Sequence, residues 1–569
     1  MSAPVSPRQS AWGHLMPEVR SLFPGAYADS PFPALCAEAF TAMAAVMPAG
    51  DLPRVPGWQG PAGYGEVLAR YARLPEGPAS DVAALVRDIS TDLLAGTTLW
   101  RCPELQYNIG AAVNVAAAAA YALALDANVF LISDGQAGNA VLAEHAVAAI
   151  LAGLAGIPRD QAHGVFTFGG TGTIMYAIKA GIRKAAPESV QSGLPLDVHV
   201  MVTRDAHFSH RAAADWLGIG ASRVITVPAV ARDRRTDVRA AGQILREHLD
   251  KGARIAAMLI NGGTTYDHVV DDIAAFAGLR DQLVAEYRLS YRPHLHVDSV
   301  IGWGWLTLDD GALSGPGLGV PEETVASLRE QHRRISQVRL ADSWGVDFHK
   351  GIGGCPVDCS MVMFSDKADL GLLRKGAADE GSLHQLAAEF SSLSPVDYTL
   401  ETARAGGKAI AALTALHSMG RAGFQAVLAR LVDATRVLRG ELAGMPGVTV
   451  LNGHSLGFAT MVALAPPGMP AGAVQAMLTV PGKDAATAAR RCNDYLKAFF
   501  AWDNGTRMNV NGGGAVYSYS SGYLPVPSGL VLGALKFYPT SPLITRQHMR
   551  EAAALLSRRK AEFDASLPG

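Results

Sequence analysis

The 569-residue sequence predicts an α/β fold, a mixed and mostly parallel sheet flanked by helices, followed by a smaller α+β C-terminal domain. Three observations predict it. From about residue 96 to 395, short apolar runs alternate with helical patterns, as parallel strands joined by crossover helices require. Most of those runs end in residues able to do chemistry, and ligands of open α/β sheets sit beyond the carboxyl ends of the strands. The tail, 396–569, opens on a long helical pattern from Thr402 to Met419 and then shows strand-like pieces at Val448–Val450 and Leu535–Tyr538.

Residues 1–95 read as a helical N-terminal segment, with turns at Phe23-Pro24-Gly25 and Pro53 to Gly63 and a helix from Ser80 to Leu94. The domain expectation is therefore 1–95, 96–395 and 396–569. Hydrophobic residues make up 49% and charged ones 18%, ample material for a core. Lys plus Arg (49) nearly balance Asp plus Glu (51), a net charge of −2, which argues against a nucleic-acid partner. Five scattered cysteines argue against a disulfide framework and for a reducing compartment, so a cytoplasmic location is expected. Cys355 and Cys359 lack a second Cys or His pair of zinc spacing, and no metal is expected. No apolar leader is seen in the first thirty residues. The alanine-rich Val115–Leu125 is too short to span a bilayer and is expected to be a buried, tightly packed helix, so no membrane partner is expected.

The apolar runs carry the motifs in order. After Gly164–Thr167 comes Phe168-Gly169-Gly170-Thr171-Gly172-Thr173, then Ile174, Ile178 and Ile182 at helical spacing. Glycines let backbone N–H groups approach a phosphate, and the helix start adds partial positive charge. No lysine of P-loop spacing follows. After Val198–Val202 comes Asp205-Ala206-His207-Phe208-Ser209-His210, and Val224–Val227 adds a third run. After Ala256–Ile260 comes Asn261-Gly262-Gly263-Thr264-Thr265-Tyr266. The run Leu295–Val297 ends in Asp298, a carboxylate that is costly to bury without a cationic partner. Last comes Asp347-Phe348-His349-Lys350-Gly351, a lysine placed between a histidine and a glycine-rich turn, where an amine can capture an aldehyde.

Phosphate turn, histidine, threonine turn, aspartate and His-Lys, in that order, resemble the pyridoxal-phosphate-dependent amino acid decarboxylases of group II, which include glutamate and aromatic amino acid decarboxylases. The resemblance covers roughly residues 80–420. It implies the type I fold of these enzymes, pyridoxal 5'-phosphate as cofactor, and a homodimer in which the N-terminal segment contacts the partner. By the match, Lys350 bonds the cofactor, His207 rather than His210 stacks on its ring, and Thr264 touches it. Asp298 keeps the pyridine nitrogen protonated, while Asp347 and His349 stand near the phosphate with Gly170 and Thr171. Asp271 matches a further acidic position. Tyr398 is the expected donor of the proton to Cα, with Leu400 the alternative in that register. Phe168, Gly172 and Ile174 depart from the family's phosphate turn, and Ser299 stands where alanine is usual; Trp303 and Trp305 lie either on the substrate side or in the core.

The activity implied is decarboxylation of an L-amino acid to its amine and CO2. Tyr107, Asn108 and the small apolar Gly110–Ala119 stretch tilt the substrate toward an aliphatic amino acid such as valine, leucine or methionine. A carbon–carbon lyase or a decarboxylation-coupled oxidative deaminase of the same fold is the alternative. An inactive cofactor-binding partner subunit is the reading of another class.

Overall fold

The molecule is described by a computed structural model covering residues 16–23, 30–46, 60–94, 97–98, 100–230, 233–314, 316–374, 393–511 and 517–567. It forms two compact units, Met1–Leu99 with Asp503–Ala515, and Trp100–Trp502 with Val516–Gly569. The first contains the helices Met16–Ser21, Phe32–Val46, Gly60–Tyr71 and Val82–Leu94. Asp92 of the last of these accepts hydrogen bonds from Arg70 and Tyr71, tying it to the preceding helix.

In the second unit, apolar runs form β1 (His163–Phe168), β2 (Val198–Thr203), β3 (Val224–Val227), β4 (Arg254–Asn261), β5 (His294–Asp298), β6 (Ser343–Asp347) and β7 (Cys359–Phe364). Their order across the sheet is β1-β7-β6-β5-β4-β2-β3. The pairs from β6 to β3 are parallel, and β7 runs antiparallel to both β6 and β1. Strands buried on both faces read as continuous apolar runs, which is why β2, β4 and β5 are legible in the sequence. Ile174, Ile178 and Ile182 of the Gly170–Ala185 helix pack on Val198, Val200, Val202 and Leu259 of that sheet. Each such side chain contributes roughly 1.5–3 kcal/mol by leaving water.

A second, antiparallel sheet orders β8 (Val448–Val450), β9 (Thr460–Leu464), β10 (Ser518–Pro525) and β11 (Val531–Phe537) as β10-β11-β9-β8. The helix expected over Thr402–Met419 begins at Gly407 and is broken directly after Met419, where Gly420 adopts φ 58°, and a second helical segment continues to Ala443. That left-handed backbone suits glycine and lets two helical segments join at an angle.

Two expectations need correction. The helix Val115–Asp126 is only half buried: Ala117 and Ala124 are inside, but Val115, Leu123 and Leu125 are exposed. Its apolar residues surround the axis, so one face is left in solvent. Among the described residues, the stretch of membrane-spanning length and hydropathy is Asp134–Ala155 rather than Val115–Leu125. A 3-10 turn at Gly138–Ala140 interrupts it, and its Val141–Ala155 helix buries Val147, Leu151 and the charged Glu144 within the protein. Glu144 forms a buried ion pair with Arg404 that also bonds the backbone of Phe166 in β1.

Candidate active site

Parallel strands deliver their last residues to one edge. Asn261 ends β4 directly opposite Asp298 at the end of β5, and Asp347 ends β6. Thr203 ends β2, and its hydroxyl accepts from Asn261 Nδ2 at 2.9 Å. At this edge a cavity of about 210 Å³ is lined by Gly170, Thr171, His207, Ser209, Thr264, Asp298, His349 and Lys350, among others. That is several times the roughly 30 Å³ one water occupies. The structure thus brings together around one space all the sequence-predicted cofactor residues except Asp347, which lies against its wall.

Lys350 Nζ stands 2.7 Å from Asp347 Oδ2, and Asp347 is fully buried. Burial alone would lower the lysine pKa, but the Asp347 carboxylate, helped by Asp298, raises it. The amine of the free protein is therefore held as an ammonium. Asp347 is fixed in turn: Trp303 Nε1 donates to its carbonyl, and a Cβ on Gly170 would lie 2.9 Å from its Oδ2. Only glycine at 170 lets the carboxylate approach the helix start so closely. His349 lies behind, with Nδ1 3.2 Å from the carbonyl of Cys359.

Asp298 is 8% exposed. Its Oδ2 lies 2.7 Å from Nε2 of the fully buried His210. Burial would raise its pKa, but the hydrogen bond from His210 and the charges of His210 and Lys350 outweigh that and hold the carboxyl well below the usual range. His207 sits at the cavity mouth with Nδ1 2.7 Å from Ser209 Oγ. Thr264 Oγ1 accepts from the Val269 N–H, leaving its own hydrogen to donate.

The 16-residue Gly170–Ala185 helix starts behind Gly169, at φ 88°, with no side-chain cap. Gly170 and Thr171 of its first turn line the cavity, and a helix start of this kind, with its dipole, is an arrangement that receives a phosphate. A phosphate-accepting helix start, an ionised carboxylate on the strand edge and a lysine amine form a donor set that fits pyridoxal 5'-phosphate.

Other predicted residues fall elsewhere. Tyr398 does not line this cavity; it lines a separate one with Met175, Tyr176, Lys179 and Leu400, and its hydroxyl lies 3.1 Å from His163 Nε2. Asp271 is buried structure, accepting from Thr236 and the Asn261 N–H, with burial raising its pKa to about 6. Trp303 and Trp305 belong to the core. Cys355 and Cys359 are buried free thiols. Among the described residues, His294, Asp342 and Asp369 cluster as metal ligands would, but Lys184 and Arg280 already hold the two carboxylates.

The motifs did not single out Lys536. It is 7% exposed in β11, its Nζ donates to Asn108 Oδ1 at 2.8 Å, and Tyr266 and Tyr538 face it. Burial pushes its pKa down to about 8. A lone lysine within the apolar Leu535–Tyr538 run was the available signal. Asn108 sits two residues before Gly110, whose backbone pairs with Lys350.

Comparison with known proteins agrees with this geometry. Residues 72–454 match the pyridoxal-dependent decarboxylase conserved domain. L-2,4-diaminobutyrate decarboxylase of Rhizobium meliloti (strain 1021) is 27% identical over 363 residues, 64% of this chain and 65% of the relative. A probable L-tyrosine/L-aspartate decarboxylase of Methanosphaerula palustris is 30% identical over 288 residues, 50% of this chain and 63% of the relative. The matches therefore span just under two thirds of these relatives' lengths. Among solved structures, mouse CSAD in apo form superposes with a TM-score of 0.73 at 16% identity, covering 93% of this chain and 98% of that one. Oryza sativa TDC with PLP and tryptamine gives 0.71 at 15% identity, covering 99% and 100%. These likenesses carry the fold, that of the type I pyridoxal-phosphate enzymes. With two thirds of its length matched by the family model, the chain belongs to the pyridoxal-dependent decarboxylase family.

Proposed function

We propose that this protein removes the α-carboxylate of an L-amino acid as CO2 and returns the amine, with Lys350 as the residue that bonds the cofactor. The observation that carries the reading is the single cavity walled by Lys350, Asp298, His207, Thr264 and the Gly170 helix start. Pyridoxal 5'-phosphate, when bound, supplies an aldehyde carbon and a conjugated ring that accepts the electron pair left by the departing carboxylate. Lys350 would hold the aldehyde end, the Gly170–Thr171 turn the phosphate, and Asp298 the ring nitrogen. His207 would lie against the ring, and Thr264 would donate to its edge. Asp347 takes the charge of Lys350 while the amine is free.

Lys536 supports a further assignment. A buried ammonium whose partners among the described residues are an amide oxygen and two tyrosine rings is left short of negative charge. In this reading it draws in the substrate carboxylate, the anion every amino acid carries. For the side chain we propose an aliphatic group such as that of valine, leucine or methionine, supported by Gly110 and Ala111 lying along the Lys350 turn. The substrates in the relatives' names, 2,4-diaminobutyrate, tyrosine and aspartate, are the competing outcomes. A homodimer is proposed as well, supported by the exposed Val115, Leu123 and Leu125; light scattering after gel filtration tests it.

The deciding experiment incubates the cofactor-loaded protein with a panel of L-amino acids that includes 2,4-diaminobutyrate, reading CO2, amine and aldehyde by mass spectrometry. Amine with equimolar CO2 supports decarboxylation. Aldehyde with ammonia would instead point to oxidative deamination, and no turnover on any substrate to a cofactor-binding subunit.

A further inference from the structure

His210 occupies the second residue of the Ser209–Trp216 helix, three positions beyond His207, and is 0% exposed. It reaches past the end of β4 to Asp298, placing Nε2 2.7 Å from Oδ2. A carboxylate can only accept, so Nε2 carries the hydrogen. The other ring nitrogen, Nδ1, has no hydrogen-bond partner among the described residues. Among the described residues, the ring's one hydrogen-bond partner is thus Asp298. The opposite oxygen, Oδ1, has only a 3.4 Å contact from the Val300 N–H.

The charged and titratable groups around this carboxylate are His207, His210, His296 and Lys350, with Asp347 behind the lysine. His296, two residues before Asp298 on β5, is turned to Ser343, with Nδ1 2.8 Å from that hydroxyl. Lys350 is paired with Asp347. Among the described residues, His210 alone donates to Asp298 from a side chain.

We propose that His210 is a positioning residue for the cofactor: by donating to Oδ2 it orients Asp298 and keeps it ionised, leaving Oδ1 to receive the protonated ring nitrogen. This rests on the cofactor reading above. His210 touches no reacting atom, so its effect passes entirely through Asp298. A histidine that merely filled core space would be replaceable by any side chain of like size; a donor would not.

The test compares His210→Leu, which keeps bulk and removes the donor, with His210→Gln, whose amide nitrogen can stand near the Nε2 position. Two readouts are used: equilibrium affinity of the apoprotein for pyridoxal 5'-phosphate, and the 15N chemical shift of the ring nitrogen in 15N-labelled cofactor. A hydrogen bond to a charged group corresponds to a loss of roughly 10- to 100-fold when removed. The leucine protein is expected to lose affinity by that factor and to shift the ring nitrogen toward its unprotonated value, while glutamine recovers most of both. Equal losses in the two variants, or a leucine protein with wild-type affinity and a protonated ring, overturns the proposal. Should the leucine protein not fold, His210→Asn, whose shorter amide stops short of Asp298, replaces it with the same expected loss. Asp298→Asn separates the two layers of inference. If it leaves affinity and ring shift unchanged, the cofactor reading itself fails; if it weakens binding while His210→Leu does not, only the role of His210 fails.

Discussion

Replacing Arg404 with methionine removes one half of a buried ion pair and tests how much that pair contributes to the stability of the fold behind the phosphate turn. Arg404 donates to Glu144 through two nitrogens, at 2.6 and 3.0 Å, and to the Phe166 carbonyl at 3.1 Å. Glu144 is 0% exposed and also accepts from the Phe166 N–H at 2.8 Å. Phe166 lies in β1, three residues before Gly169, so the pair anchors the strand that launches the cofactor helix. Arg404→Met leaves Glu144 buried without its counter-charge, at a cost of about 3–5 kcal/mol. Glu144→Gln in the same protein removes the stranded charge while keeping an acceptor for Phe166, and should recover most of that.

The pH dependence has a definite sign. Burial tends to raise the Glu144 pKa, but Arg404 more than reverses this, so it lies below its ordinary 4.5 in the folded protein. The wild-type pair therefore contributes stability above about pH 4.5 that is lost as pH falls through the folded value. Without Arg404, burial acts alone and raises the Glu144 pKa, and protonation relieves the variant on acidification. Urea unfolding of the apoproteins, followed by circular dichroism from pH 4 to 8, should show the gap between wild type and variant widest near neutrality and narrowing toward pH 4. A cost below about 1 kcal/mol, or one that does not change with pH, refutes the reasoning.

Lys350→Ala should abolish covalent retention of the cofactor; borohydride treatment of wild type followed by peptide mass mapping should place the adduct on residue 350 and nowhere else. Gly170→Ala puts a Cβ 2.9 Å from Asp347 Oδ2, a clash of about 1–3 kcal/mol, and titration of the apoprotein should show cofactor affinity lowered roughly 5- to 150-fold. Lys536→Met should raise KM with little change in cofactor affinity; with the lysine pKa near 8, the wild-type KM should climb as pH rises through 8, and the variant's should not. Tyr398→Phe, by its placement against His163, should lower kcat far less than the roughly hundred-fold that loss of a general acid brings.

Strand-end chemistry was the most readable part of this chain. β2, β4 and β5 announce themselves because double burial excludes polar residues along their length, and whatever follows them faces the cavity. β6 was not recognised, because Ser343-Trp344-Gly345-Val346-Asp347 mixes small, polar and aromatic residues. Gly345 is small there because a Cβ would crowd Thr173 Oγ1 to 2.7 Å. The buried Asp298 argued for a cationic partner, but nothing in the local pattern showed that the His210 ring lies 2.7 Å from it. Helical spacing of three turns that ring inward, and only the packing of the Ser209–Trp216 helix reveals that direction. The surroundings of Tyr398 and Lys536 were not legible for a related reason. Both depend on long-range neighbours, His163 and Asn108, that local pattern does not encode.

The lysine turn is zipped to the segment ahead of the Val115 helix. Ala111 N–H bonds the His349 carbonyl, Gly351 N–H the Ile109 carbonyl, and Asn114 N–H the Gly354 carbonyl, while Gly353 folds back on Lys350 itself. Main-chain displacement on that loop would break several of these bonds at once. Any swing of the amine within the cavity must therefore be taken up by the four methylenes of its side chain. In the proposed reaction Lys350 would serve as a short crane arm on a fixed mast, its nitrogen confined to one arc.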